Sequence, residues 1–233
     1  MSSDELPILN RETYIPTTFR QVWENLPKLL LAGLLFAIYW GPALSLALLG
    51  LWGPAFIVSV LILSPGWAAL LAFEADFSLD RHARFRVMFT SFRRLWKRGV
   101  GLGLLASFPL VAAWLSLPVL SRPQAPIIVW WGLAADALAL LLLVVLSLYA
   151  FPLLALYDVS LYLSLRNAMI LASRHILNTL GLLAMGVLFA LAVLYISPGL
   201  LFILPPVWGI FILNNCKMLV DEEMREDSGG RNR

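Results

Sequence analysis

The chain has 233 residues, a formal net charge of +3, and a composition that is 61% apolar and only 13% charged. A soluble domain typically carries about 25% charged residues, so this composition excludes an ordinary soluble globular protein. The basic residues stand at the ends of apolar runs, where a membrane surface accounts for them, and we therefore exclude nucleic acid as the partner.

Six apolar runs of about 20 residues follow one another, and this is the length at which a helix crosses a hydrocarbon layer roughly 30 Å thick. They lie at 29–49, 53–73, 99–120, 127–150, 176–196 and 199–219. Spanning backbone has to satisfy its hydrogen bonds internally, which favours helices. We predict an all-α, polytopic membrane protein whose six transmembrane helices form three hairpins. Residues 1–220 are its single domain, and 221–233 a disordered cytoplasmic tail.

The distribution of Lys and Arg predicts the topology, because these residues accumulate on the cytoplasmic side. Sixteen of the 17 fall in the two terminal segments and in the loops 74–98 and 158–175. Arg122 alone falls in one of the other three connections. This alternation places both termini in the cytoplasm.

The densest basic block stands at 84–98, directly before the third span. On a helix, its aromatic and aliphatic side chains share one face and its cations the opposite face. We predict an interfacial helix that anchors the protein to anionic lipid headgroups, with docking of a cytoplasmic partner as the alternative. Its cations are Arg84, Arg86, Arg93, Arg94, Lys97 and Arg98.

An internal repeat is indicated by TTFRQVW at 17–23, which matches TSFRRLW at 90–96 in register. A looser third copy at 164–178 combines apolar spacing with Arg166, Arg174 and His175. Repeats usually mark one reused supersecondary unit. We predict three units, each an interfacial helix followed by two spans, at 14–74, 84–158 and 160–220. A chance match of short motifs is the alternative.

Asp136 is the one ionisable residue well inside a predicted span, about 14 Å deep at 1.5 Å per residue. An intramembrane carboxylate costs roughly 2.5–3.5 kcal/mol on insertion scales. Asp136 therefore has to face the helix bundle, face a water-filled cavity, or be protonated. We predict a proton or substrate site there, with a hydrogen-bonded packing residue as the alternative. Glu74, Asp76 and Asp158 end spans, where we expect ion pairs with nearby arginines.

Prolines interrupt several predicted spans. Proline removes an intrahelical hydrogen bond, and broken helices in transporters can expose backbone to a substrate. Neighbouring groups can also satisfy the freed carbonyl, so structural kinks are the alternative. The predicted breaks are at Pro42, Pro65, Pro109, Pro205 and Pro206. The spacing Gly99-x-Gly101-x-Gly103 predicts a seam for close helix approach, within one chain or between copies in a homo-oligomer.

Motifs of common hydrolases are absent from the sequence: there is no GxxxxGK[ST] loop, HExxH helix or GxSxG elbow. The two histidines, His82 and His175, lie in separate connections, so no zinc cluster is expected. We predict a protein that is not an enzyme and has neither metal nor cofactor.

Two stretches resemble the YesL-like bacterial membrane family, a domain of unknown function. SPGWAALLAFEADFSLDRHARFRVMFTSFRRLWKRGVGLGLL at 64–105 is similar to its typical segment, and YAFPLLALYDVSLYLSLRNAMILASRHILNTLGLL at 149–183 to its second block. The resemblance covers the middle and C-terminal two-thirds, and the first hairpin departs from it. It implies a bacterial inner-membrane protein encoded beside ATP-driven carbohydrate uptake systems, without assigned catalytic residues.

Three functions follow as hypotheses. The first is a non-enzymatic accessory of carbohydrate uptake that contacts the permease or ATPase subunits of an ABC-type transporter. The second is a stand-alone small-solute transporter or channel that uses Asp136. The third is a membrane-organising or lipid-binding protein.

Overall fold

The structure, a computed structural model, describes residues 11–79, 85–120 and 126–230. Within these ranges every regular element is helical, which confirms the all-α class. A π-helical turn, Ser59–Leu63, joins α3 to α4, and a 3-10 turn, Pro198–Phe202, precedes α9. The α-helices are α1 (Arg11–Glu24), α2 (Leu26–Leu48), α3 (Trp52–Val58), α4 (Ser64–Leu79), α5 (Arg86–Leu120), α6 (Ile127–Tyr157), α7 (Leu161–Arg174), α8 (Ile176–Tyr195) and α9 (Leu204–Gly230).

Five stretches within the described ranges are long and apolar enough to cross a membrane, which confirms a multi-pass membrane protein. They are Leu26–Leu48, Trp52–Asp76, Arg86–Ser116, Ile127–Tyr157 and Ile176–Tyr195. They correspond to the first five predicted spans. The sixth, 199–219, is not among them.

Helix α9 falls short because its sequence is less apolar, not because it is short. Pro205 and Pro206, the amides Asn214 and Asn215, and Lys217 lower its mean hydropathy. Both amides are buried, and Ile210–Leu213 beside them belong to the main core. The helix contacts α1, α2, α4, α6 and α8. Protein therefore covers much of the surface that lipid covers on the other helices.

The predicted disordered tail is helical as far as Gly230, and residues 231–233 lie outside the described ranges. Helix α9 continues past Asp221 because the next residues include good helix formers and because another helix holds them. Arg174, at the end of α7, donates to the Glu223 carboxylate at 3.1 Å. The tail prediction was wrong for the part that the structure describes.

The basic block at 84–98 does not form a separate interfacial helix, which corrects that prediction. From Arg86 onwards it is the beginning of α5, which continues for 35 residues to Leu120. Its inward face is Met88, Ser91 and Leu95, all buried, and the Phe92 ring stacks on Tyr39 at 4.8 Å. Much of the apolar face thus packs on α2 and α4, whereas Phe89 and Trp96 on the same face are exposed. The other predicted interfacial segments do form separate helices, α1 and α7.

The predicted break at Pro65 is a π-helical turn rather than an unwound segment. Pro65 has no N–H to donate to the carbonyl of Leu61, four residues before it. The indole Nε1 of Trp96 on α5 donates to that carbonyl instead, at 3.0 Å. A neighbouring helix therefore satisfies the group that proline leaves free, so the chain stays helical from Trp52 to Leu79.

The other predicted proline breaks divide into two kinds. Helices α2 and α5 continue through Pro42 and Pro109, so these two predictions were wrong as breaks. Pro205 and Pro206 lie in the first turn of α9, after the 3-10 turn. A helix boundary does occur there, because proline suits the first turn, where N–H groups have no intrahelical acceptor.

The predicted glycine seam on α5 is an intrachain contact. A Cβ on Gly99 would lie 2.6 Å from the Pro65 Cα, and one on Gly103 would lie 2.9 Å from the Ser64 Cβ. The Ser64 hydroxyl donates to the Gly99 carbonyl at 2.7 Å. Helices α4 and α5 therefore approach closely enough for their backbones to touch, as in other small-residue helix contacts.

Candidate functional site

A cavity of about 590 Å³ lies between the helices of the bundle and is partly open at the surface, where Leu105 and Val144 of its wall are exposed. Its wall is formed by α2, the helical stretch from α3 to α4, and helices α5, α6, α7 and α9. Trp67 of α4 and Trp208 of α9 belong to this wall, with ring centroids 5.7 Å apart. The volume falls within the roughly 300–1,000 Å³ range of ligand pockets. We call it the central cavity.

A second cavity, of about 650 Å³, lies between α2, α3 and α5. It shares wall residues with the central cavity, including Phe56, Leu63 and Leu110. Trp52 and Trp114 in its wall are exposed, so it opens on the outer surface of the bundle. We call it the lateral cavity. Together the two cavities extend from the bundle interior to the surface that faces lipid in a membrane.

The central cavity offers little to a polar ligand. Among the described residues, no acidic or basic side chain lines it. Its serine hydroxyls all donate to backbone carbonyls: Ser59 to Ala55 at 2.9 Å, Ser64 to Gly99 at 2.7 Å, Ser107 to Leu104 at 2.7 Å and Ser147 to Val144 at 2.7 Å. The remaining wall is aliphatic and aromatic, and the indole N–H of Trp208 is its one buried donor without a hydrogen-bond partner among the described residues. Burial of a polar group without a hydrogen bond is costly, so this cavity suits an apolar molecule.

Glu74 on α4 is the buried carboxyl group of the core, at 1% exposed. Neither of its oxygens has a hydrogen-bond partner among the described residues. A Cβ on Gly209 of α9 would lie 2.2 Å from its Oε2, so the carboxyl group packs directly on that helix backbone. A buried charge without a partner is very costly. Binding of a proton removes the charge and needs no additional space in the core.

A cluster of polar side chains docks α1 onto α9. The Tyr14 hydroxyl donates to the Phe211 carbonyl at 2.8 Å. The Asn214 amide donates to Thr18 at 3.1 Å and to Gln21 at 2.9 Å. Burial raises the pKa of the Tyr14 hydroxyl, Tyr149 nearby raises it further, and a hydrogen bond with Asn215 opposes the shift. These bonds satisfy the amide N–H groups of Asn214, whereas the Asn215 Oδ1 and the Trp208 Nε1 of the same helix are buried without a hydrogen-bond partner among the described residues.

Asp136 lies half-buried on α6 and does not line either cavity. Its carboxylate makes no hydrogen bond or ion pair with a residue that the structure describes. Leu140, one turn further along α6, is in the wall of the central cavity. The proposed proton or substrate role of Asp136 stays a prediction.

The structure separates the predicted basic cluster into two parts. Arg98 donates to both the carboxylate and, at 3.0 Å, the carbonyl of Asp158. Asp158 ends α6 with a left-handed backbone, φ 51°, so Arg98 closes that helix end and one predicted ion pair is confirmed. The exposed cations with no ion pair among the described residues are Arg86, Arg93, Arg94 and Lys97. Arg84 lies outside the described residues.

The position of Glu74 differs from the prediction. It was expected to pair with an arginine at the end of a span, and it is instead buried in the core. The available signal was its spacing: Glu74 follows Leu70 and Leu71 by four and three residues and Trp67 by seven. Such spacing places it on the same helix face as those residues. The length of the apolar run predicted a position at the membrane surface instead, because Glu74 directly follows the last apolar residue of that run.

Among the described residues no three His, Cys, Asp or Glu side chains are grouped as metal ligands. Comparison of the chain with protein-family models, with curated proteins and with solved structures finds no match. The resemblance to the YesL-like family stays a prediction based on the two quoted stretches.

Proposed function

We propose that the protein binds a lipid acyl chain, or a similarly apolar molecule, that enters from the bilayer through the lateral cavity. The supporting observation is the wall of the central cavity, which is apolar and whose serine hydroxyls are already bonded to backbone. A sugar would leave its own hydroxyls without partners there. An acyl chain needs no such partners, and the lateral opening gives it access.

A photoactivatable fatty-acyl phospholipid in liposomes tests this proposal. We expect crosslinks on buried residues of the central cavity wall, such as Val60, Leu102 and Leu148. Ala106→Phe, which places a larger side chain in the central cavity, should reduce those crosslinks at least several-fold. Ala113→Phe makes the same exchange on the same helix outside both cavities and should leave them unchanged. Labelling confined to outward positions such as Leu188 on α8 would contradict the proposal.

We also propose that α9 is the sixth crossing, which leaves both termini on one side of the membrane. Its polar residues are covered by protein, where spanning helices normally place such residues. With five crossings the termini would lie on opposite sides. Cysteine labelling with a membrane-impermeant maleimide distinguishes the two, in a Cys216→Ala background with single cysteines at Ser2 and at Ser228. Equal labelling of both from the same side supports six crossings, and opposite-side labelling contradicts it.

A role as an accessory of carbohydrate uptake in the bacterial inner membrane is the second candidate. The exposed cations Arg93 and Lys97, free of ion pairs with described residues, favour a docking role at that end of α5. Replacement of both with Gln should weaken co-purification of identified permease or ATPase subunits by several-fold. Arg98 is left intact in this test because it closes α6. Unchanged recovery of those subunits would contradict the role.

A further inference from the structure

A third cavity, of about 390 Å³, lies between α4, α5 and α6 and shares no wall residue with the central cavity. Unlike the other two, it has charged side chains in its wall, together with hydroxyl groups. These are Asp76 of α4 and Thr90, Ser91 and Arg94 of α5, with alanine, valine and leucine completing the wall. We call it the polar pocket. It lies at the end of the bundle where α5 begins and α6 ends.

The two charged groups of the polar pocket have no ion-pair partner in the part of the chain that the structure describes. Asp76 and Arg94 make no ion pair with each other or with another described residue. The pocket therefore holds a guanidinium and a carboxylate that are not paired with each other. A ligand in the pocket meets both a positive and a negative group. A ligand that carries an anion and a cation a few bonds apart can neutralise both.

The Ser91 hydroxyl gives an independent indication. In the predicted repeat, SFR at 91–93 aligns with TFR at 18–20 and with SLR at 164–166. Ser91 then stands at the position of Thr18 on α1 and of Ser164 on α7, and all three residues are buried. Thr18 accepts from Asn214 at 3.1 Å, and Ser164 donates to Ala150 at 2.7 Å. Ser91 lines the polar pocket and has no hydrogen-bond partner among the described residues. The equivalent hydroxyl is thus satisfied internally on α1 and α7 and left available on α5.

We propose that the polar pocket binds the phosphate and primary ammonium of a zwitterionic headgroup, as in phosphatidylethanolamine. Arg94 would hold the phosphate, since guanidinium matches phosphate geometry, with Ser91 as a further donor. Asp76 would accept from the ammonium. A quaternary ammonium has no N–H to donate, so phosphatidylcholine fits this site less well. The site is separate from the central cavity and does not depend on acyl-chain binding there.

Native mass spectrometry of the purified full chain tests the site with added phosphatidylethanolamine, phosphatidylglycerol or phosphatidylcholine of identical acyl chains. We expect the ethanolamine lipid to be retained about ten-fold more than either of the others. Arg94→Gln should lower retention of both phosphatidylethanolamine and phosphatidylglycerol about ten-fold, as loss of charge-assisted hydrogen bonds predicts. Asp76→Asn should abolish only the preference for phosphatidylethanolamine over phosphatidylglycerol.

Arg93→Gln removes the neighbouring exposed charge outside the pocket and serves as the matched control, with retention expected to be unchanged. An equal loss in Arg93→Gln and Arg94→Gln, or an unaltered lipid preference in Asp76→Asn, would overturn the proposal. Calorimetry with O-phosphoethanolamine identifies the source of the ligand. Binding of this free headgroup, with the same dependence on Arg94 and Asp76, indicates a soluble ligand, and binding of the lipid alone indicates the membrane. Ala106→Phe should leave headgroup preference unchanged, which separates this test from that of the central cavity.

Discussion

At the residue scale, the charged side chains of the chain perform different tasks that composition does not reveal. Arg93, Arg94, Lys97 and Arg98 stand within six positions, yet only Arg98 pairs with a residue that the structure describes. Its partner Asp158 ends α6 in a left-handed conformation. Arg98 is therefore a helix-capping residue, and its exposed neighbours remain available for a partner outside the chain.

Arg98→Gln should lower the free energy of unfolding by about 1 kcal/mol, since a partly exposed charge-assisted contact lies near the low end of such bonds. Arg93→Gln, the matched control, should change it by less than roughly 0.5 kcal/mol. Unfolding in mixed micelles followed by circular dichroism measures both. Equal losses in the two variants would show that Arg98 does not stabilise the end of α6.

The contact between Glu74 and Gly209 predicts a second residue-scale effect. Gly209→Ala introduces a Cβ where the Glu74 carboxyl group lies. Because Glu74 is 1% exposed, its carboxyl group has no solvent-filled space to move into, and overpacking of this kind typically costs about 1–3 kcal/mol. In a Glu74→Ala background the space is free, so the same exchange should cost much less. The coupling energy from the double-mutant cycle in an unfolding assay measures this dependence.

Gly181→Ala on α8 is the control for backbone effects, because no atom lies within 4 Å of a Cβ there. Alanine in a helix interior gains about 0.5–1 kcal/mol over glycine, so this variant should be as stable as the parent or slightly more so. Additive losses from Gly209→Ala and Glu74→Ala would contradict the contact.

At the element scale, α5 joins the packed part of the bundle to the cavities. Its Gly99 and Gly103 lie against the backbone and first side-chain atoms of α4 and the π-helical turn, whereas Gly101 meets the end of the flexible Leu161 side chain. The sequence predicted this seam from spacing alone. Which of its glycines touch backbone depends on the rotation of α5, and spacing does not determine that rotation.

Gly99→Ala should therefore destabilise the protein by about 1–3 kcal/mol, because the Pro65 backbone cannot move aside. Gly101→Ala should cost less than roughly 1 kcal/mol, because the Leu161 side chain can change rotamer. Thermal unfolding in detergent compares the two variants directly. A larger loss for Gly101→Ala would contradict the orientation of α5.

Sequence patterns predicted the helices well and the breaks between them poorly. Apolar runs of 20 residues leave helix as the available state, so the first five spans agree with the structure. Pro42 and Pro109 looked like breaks, but proline removes one hydrogen bond and leaves the rest of the helix intact. The π-helical turn at Pro65 depends on Trp96 from another helix, a contact that no local pattern encodes.

At the scale of the whole molecule, packing is uneven. The described parts of α1, α4 and α7, the beginning of α5, the end of α6 and the middle of α9 contribute many of the residues with little or no exposure. The central cavity lies beside the later part of α5 and the middle of α6, and the lateral cavity lies between the later part of α5, α2 and α3. Sequence did not predict this division, because residues such as Leu95 and Leu105 are chemically alike and differ only in what surrounds them.

This division predicts a difference between equivalent truncations on one helix. Leu95→Ala removes a fully buried side chain and should cost about 2–5 kcal/mol. Leu105→Ala enlarges a cavity that already exists, where the leucine is 41% exposed, and should cost about 1 kcal/mol or less. Steric-trapping measurements of unfolding in bicelles compare the two. Equal losses would contradict the uneven packing.

Helix α5 is longer than the hydrocarbon layer is thick. Its 35 residues form one uninterrupted helix of about 52 Å, roughly 20 Å more than the hydrocarbon layer is thick. The same helix carries Arg93 near its beginning and supplies part of the cavity wall between Leu102 and Leu110. The segment that extends beyond the hydrocarbon layer and the segment that lines the central cavity therefore belong to one element, with no loop between them.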